Sequence, residues 1–135
     1  MKRPMTMFVA LIAAAAAAQT VDYDADVQPL FDTHCVFCHG SSQPAAGLDL
    51  SAGQSYENLV DAASANYAPA LRVAPGDPDE SVLWNKLADT GEFGGVMPQG
   101  GQIPQDRIEV ITTWILELLP VSAQDETWGA IKGSF

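Results

Sequence analysis

Beyond the first twenty residues, apolar positions recur at three- and four-residue steps, and no stretch alternates convincingly every second residue as a half-buried strand would. Val27, Leu30 and Phe31 mark the apolar face of a first helix running from about Asp24 or Asp26 to His34. Its acidic start suits the positive end of a helix, and Pro29 is tolerable only in the opening turn. From Gly40 to Ala74 the pattern is loop-like, wrapping one edge of whatever the first helix presents. Within it SSQPAAG is turn-rich, Leu48 and Leu50 flank Asp49 in a brief extended piece, and Ser55 to Val60 makes a short helix. A third helix is punctuated by Asp77 as cap, Pro78 at the first helical position and Glu80 as capping-box partner. Val82, Leu83 and Leu87 form its buried face, with Trp84 beside them, and Asp89-Thr90-Gly91 closes it. The last helix begins near Pro104 and stops at Pro120, with Ile108, Ile111, Ile115 and Leu118 as a stripe widened by Trp114 and Leu119. That stripe is long enough to cover the first helix, so the pattern predicts an all-α domain of three to five helices.

The first 18 residues break this pattern. Lys2 and Arg3 precede an alanine-rich apolar run, Met5 to Ala18, that ends in Ala16-Ala17-Ala18. This reads as a secretory signal, 1–18, with a small-residue cleavage site. A retained membrane tether is the alternative, although the run is short of the roughly 20 residues that span a bilayer. The expected organisation is signal 1–18, domain 19–119 and tail 120–135, in which Trp128 and Phe135 fold back or lie exposed. Export to the periplasm is expected, with no stable membrane span after cleavage.

Charge then changes the picture of the surface. All 17 acidic residues lie beyond residue 18, and the four bases that remain there leave a formal charge of −13. Such a surface repels nucleic acid and anionic lipid, and favours a basic docking partner or serves solubility alone. Asp22, Asp24 and Asp26 read as solvated, helix-capping carboxylates, with docking as their sharper role.

The candidate chemistry lies where the first helix ends, at Cys35-Val36-Phe37-Cys38-His39. Two thiols two residues apart can each form a thioether with a haem vinyl group, and the adjoining imidazole can ligate iron, so C-x-x-C-H reads as covalent haem attachment. A structural zinc site wants four well-separated ligands, whereas His34, Cys35, Cys38 and His39 fall within six consecutive residues. A thioredoxin-like dithiol needs a βαβ setting, and a disulfide across two residues closes too small a loop to stabilise much.

A second iron ligand emerges from inventory. Met1, Met5 and Met7 leave with the signal, so Met97 is the single methionine of the mature chain. It sits in GEFGGVMPQGGQIP, where Gly94 and Gly95 allow close approach to a flat ring and Pro98 stiffens the chain beyond the methionine. His34, next to Cys35, is badly placed to reach the other face of the ring. The competing role for Met97 is a core gap-filler, and for Trp84 it is an electron relay rather than a core aromatic.

This order of elements resembles the class I cytochrome c fold. More narrowly, GLDL at 47–50, APGDPDESVLW at 74–84, VMP at 96–98 and the helix around Ile111-Thr112-Thr113-Trp114-Ile115 resemble planctomycete-type cytochrome-c-like haem domains, from about Val21 to Leu119. The resemblance implies one haem c held by Cys35 and Cys38, with His39 the proximal and Met97 the distal ligand. Many relatives carry a second proline where this chain has Gln99, a departure that touches loop stiffness more than ligation.

With both axial positions filled, iron keeps no vacant site, and the expected activity is one-electron transfer between redox protein partners rather than catalysis. A free monomeric carrier is one form of this. An electron-entry subunit of a larger oxidoreductase is another, and a gas-binding haem with a displaceable Met97 is a third.

Overall fold

A computed structural model describes residues 21–118, which form four α-helices and no strand among the described residues. The expected signal, the tail, and Leu119, Pro120, Trp128 and Phe135 lie outside the described residues. The helices are α1 (Gln28–His34), α2 (Ser55–Leu59), α3 (Val82–Ala88) and α4 (Gln105–Glu117). The all-α class anticipated from the apolar periodicity is the class observed among the described residues.

The helical path leading into α1 begins at Tyr23, close to where the sequence places it, but its first turn has a wider pitch. Tyr23–Val27 is a π-helical turn, capped by Asp22, whose Oδ1 accepts from the Ala25 amide at 2.8 Å. Asp26 returns the contact by accepting from the Asp22 amide at 3.0 Å, so the two carboxylates cap reciprocally. The wide turn has a local cause: Pro29 has no N–H for the carbonyl of Ala25 and its ring would crowd it, and the Gln28 amide reaches back to Tyr23 instead.

Helix α4 has no side-chain cap at Pro104. A cap is worth about 1 kcal/mol, whereas burying Ile108, Ile111, Trp114 and Ile115 contributes roughly 1.5–3 kcal/mol each, so packing fixes this helix. It lies against the π-turn rather than along α1, with the Tyr23 and Trp114 rings 5.1 Å apart. Tyr23 also meets Tyr56 of α2 edge-on at 5.1 Å and Phe31 of α1 at 6.5 Å, which joins three helices through one aromatic cluster.

The start of α3 departs from expectation. Asp77 caps a turn, accepting from the Glu80 amide at 3.2 Å, but the helix itself begins at Val82. The amides of Val82 and Leu83 donate to the carbonyls of Leu71 and Arg72, at 3.0 and 2.9 Å. Ser81 is thereby held extended, its hydroxyl accepting from the Ala74 amide (2.8 Å) and donating to the Asp77 carbonyl (2.7 Å). These partners lie outside the helix, so capping signals alone place its start too early. Trp84 belongs to the scaffold: its indole N–H donates to Thr112 of α4 at 2.8 Å.

Buried polar groups beneath the aromatic cluster form a chain with one direction. Gln28 Nε2 donates to Leu50 O (3.0 Å) and Asp32 Oδ1 (2.9 Å), so its Oε1 faces Ser55 and accepts the serine proton. Ser55 has no second proton, and Tyr23 must therefore donate its hydroxyl proton to Ser55 Oγ, at 2.6 Å. Burial pushes the Tyr23 hydroxyl up to about 12, and the Asp24 carboxylate adds to the rise. Below pH 10 both folded and unfolded Tyr23 are protonated and the group adds no pH dependence. Between pH 10 and 12 only the unfolded chain loses the proton, so stability falls across that window. Tyr23→Phe is expected to cost about 1 kcal/mol at pH 7 through the lost hydrogen bond, and to lose less stability than wild type from pH 10 to 12. Denaturant unfolding followed by circular dichroism at pH 7, 10 and 12 measures both.

Candidate functional site

Helix α1 delivers the chain into the Cys35–Gly40 turn without a break in hydrogen bonding. Cys35 N and Val36 N both donate to Phe31 O (2.8 and 3.0 Å), and His39 N donates to Cys35 O (2.9 Å). The turn is tight enough to require Gly40, since a Cβ there would lie 2.6 Å from Val36 O. Sequence reasoning missed this glycine, although it directly follows the pentapeptide.

His39 is then fastened from two sides. Its carbonyl accepts from the Leu50 amide at 2.7 Å, and its Nδ1 lies 3.1 Å from Ala45 O. A carbonyl oxygen can only accept, so Nδ1 carries the proton and Nε2 is left with a free lone pair, the arrangement a metal-binding imidazole needs.

Two hollows meet at this residue. The inner one, about 730 Å³ including space open to solvent, is walled mainly by apolar side chains such as Leu48, Leu50, Leu59, Leu83 and Leu87, with Cys35, His39 and Met97 also in its lining. The outer one, about 780 Å³, opens between Phe37, Cys38, Ala45, Pro98 and Gln99 and shares Cys35, His39 and Met97 with the first. The structure thus brings together Cys35, Cys38, His39 and Met97. His34 sits exposed at the end of α1 and lines the outer hollow, not the inner one.

Met97 is half-buried and held by its backbone, its amide donating to Lys86 O of α3 at 3.0 Å. The glycines before it act differently from one another. Gly94 has φ +82° and a Cβ there would lie 2.7 Å from the Tyr67 hydroxyl, whereas Gly95 faces open space. The close approach at Gly94 is therefore to the Tyr67 side chain, which itself lines the inner hollow.

Burial pushes the Cys35 thiol up to about 11, with the neighbouring Cys38 adding to the rise. Reactive dithiols and thiolate metal ligands are favoured by surroundings that lower the pKa; this apolar setting suits a thiol that becomes a thioether. Among the described residues no group of three or more His, Cys, Asp or Glu is placed to hold a metal ion. A flat, largely apolar macrocycle with a covalent edge at the cysteines and an imidazole nitrogen for its iron fits this cleft.

Residues 35–100 match the family model described as planctomycete cytochrome C. The match opens on Cys35, closes just past Pro98, and takes in every residue lining the inner hollow. This stretch is therefore similar to a cytochrome c domain, which suggests a haem-binding electron-transfer protein. Within that class the similarity is to the planctomycete type. No curated protein and no solved structure matches the chain.

Gly40→Ala tests the turn. Because the clash is with backbone, the substitution is expected to destabilise the domain by about 1–3 kcal/mol and to lower the yield of covalently attached haem. Denaturant unfolding and the haem absorbance retained after acid-acetone extraction measure these outcomes.

Proposed function

We propose that this chain is an exported monohaem c-type cytochrome that transfers single electrons between redox partners. Cys35 and Cys38 hold the haem by thioethers, and His39 and Met97 ligate its iron. The observation that carries the reading is the meeting of Cys35, His39 and Met97 in the lining of both the inner hollow and the outer one. When bound, the haem supplies the ferric–ferrous couple.

The chain's own residues account for the rest. Ala45 O holds the His39 proton on Nδ1 and so keeps Nε2 available. With one imidazole and one thioether assigned to iron, no coordination position is left for a gas or a substrate, and a thioether favours a higher potential than a second nitrogen would. Leu48, Leu50, Leu59 and Leu87 give the inner hollow an apolar wall. Phe37, 100 % exposed beside the outer hollow, gives an uncharged contact point at the mouth. The net negative charge of the chain favours a partner with a basic rim.

Export rests on the reading of residues 1–18 as a cleaved signal to the periplasm, with a membrane tether as the alternative. No helix among the described residues is long and apolar enough to cross a membrane. The exposed Phe37 also fits a second reading, an electron-entry subunit docked within a larger oxidoreductase.

Carbon monoxide separates an electron carrier from a gas-binding haem. The reduced protein is expected not to bind carbon monoxide at pH 7, and Met97→Ala is expected to bind it readily, both read from the Soret shift. Rapid binding by the wild type would overturn the carrier assignment.

A further inference from the structure

The described chain is short of positive charge: against 15 carboxylate side chains it has only Arg72, Lys86 and Arg107. Two of these three, Arg72 and Lys86, line the inner hollow. Among the described residues neither pairs with a carboxylate, and the one ion pair is Arg107 with Asp106 on the surface. Placing two partly buried cations against an apolar cavity in so acidic a chain is costly unless an anion meets them there.

Both are fixed in place. Arg72 Nη1 donates to Asn58 O at 2.9 Å, which leaves most of the guanidinium's five donors unused. Its backbone is tied on both sides, to Ala62 O (2.7 Å) and from Leu83 N (2.9 Å). The Lys86 ammonium lies 5.1 Å from the centre of the Tyr67 ring, a cation–π contact that spends none of its hydrogen bonds. Ser64, Asn66 and Tyr67 add polar groups to the same lining.

Resting on the haem reading proposed for this site, we propose that Arg72 and Lys86 form a two-cation seat for the two propionate carboxylates of the haem, opposite in role to the thioether edge at Cys35 and Cys38. The cysteines anchor the apolar edge of the ring and the two cations receive its anionic edge. Their charges also disfavour ferric iron, whose charge is one unit more positive, and so hold the potential up.

The experiment compares the haem-loaded variants Arg72→Gln, Lys86→Gln and Arg72→Lys with wild type and with Arg107→Gln, using spectroelectrochemical titration and the propionate bending bands in resonance Raman spectra. In Arg72→Gln and Lys86→Gln the ferric-to-ferrous ratio at a fixed potential is expected to rise about tenfold, equivalent to 59 mV for one electron, and the propionate bands are expected to move. Arg72→Lys keeps the charge but not the planar fork, so its ratio is expected to stay within about twofold of wild type while the bands still move. If Arg72→Gln does not fold, Lys86→Gln and Arg72→Lys give the same two readouts. Ratios and bands matching those of Arg107→Gln would overturn the seat, and a shift in only one of the two Gln variants would overturn the pairing. A chain with no covalent haem in the denatured spectrum would overturn the function reading itself, and is recognised before any titration.

Discussion

The double attachment of His39 is the constraint on which the rest of the site depends. Its carbonyl is bound by Leu50 N and its ring nitrogen by Ala45 O, so the segment from residue 45 to 50 fixes at once the direction of the imidazole and the position of the Leu48–Leu50 wall. That wall is fastened again from behind: Gln28 donates to Leu50 O, and Asn58 Nδ2 donates to Asp49 O at 3.0 Å. A ring held this way needs no metal to choose its tautomer. The cost of ordering the site is met largely by the fold, through α1 on one side and α2 on the other.

The same logic explains why a short acidic domain can keep an open, apolar cleft. The aromatic cluster of Tyr23, Phe31, Tyr56 and Trp114 ties the entry turn to α1, α2 and α4, and the Tyr23–Ser55–Gln28 chain gives that contact a defined register. Buried polar chains are costly when any member is unsatisfied; here no buried side-chain polar atom among the described residues lacks a partner. Helix α3 then faces the cleft with Leu83, Lys86 and Leu87, and its Trp84 bonds back to α4.

Much of this was legible in the chain. The stripe of α4, the end of α1 at His34 and the short helix at Ser55 are set by apolar spacing and local signals, because there local preference and tertiary packing agree. The start of α3 was not legible: the partners of its first amides, Leu71 and Arg72, lie in a distant loop. Gln28 and Ser55 read as ordinary polar positions, since no local pattern shows that each is the other's buried partner. Arg72 and Lys86 were equally hidden. An isolated base in an acidic sequence reads as surface, and only the fold turns both toward one cavity. Their scarcity was the one available hint.

The central claim is that one imidazole and one thioether, from His39 and Met97, complete the iron of a covalently held haem. The most direct measurement is the far-red absorption spectrum of the ferric protein. The account predicts a weak sulfur-to-iron charge-transfer band in the wild type that disappears in a folded Met97→His variant. A wild-type ferric spectrum without that band, in a protein whose haem survives denaturing extraction, would contradict it.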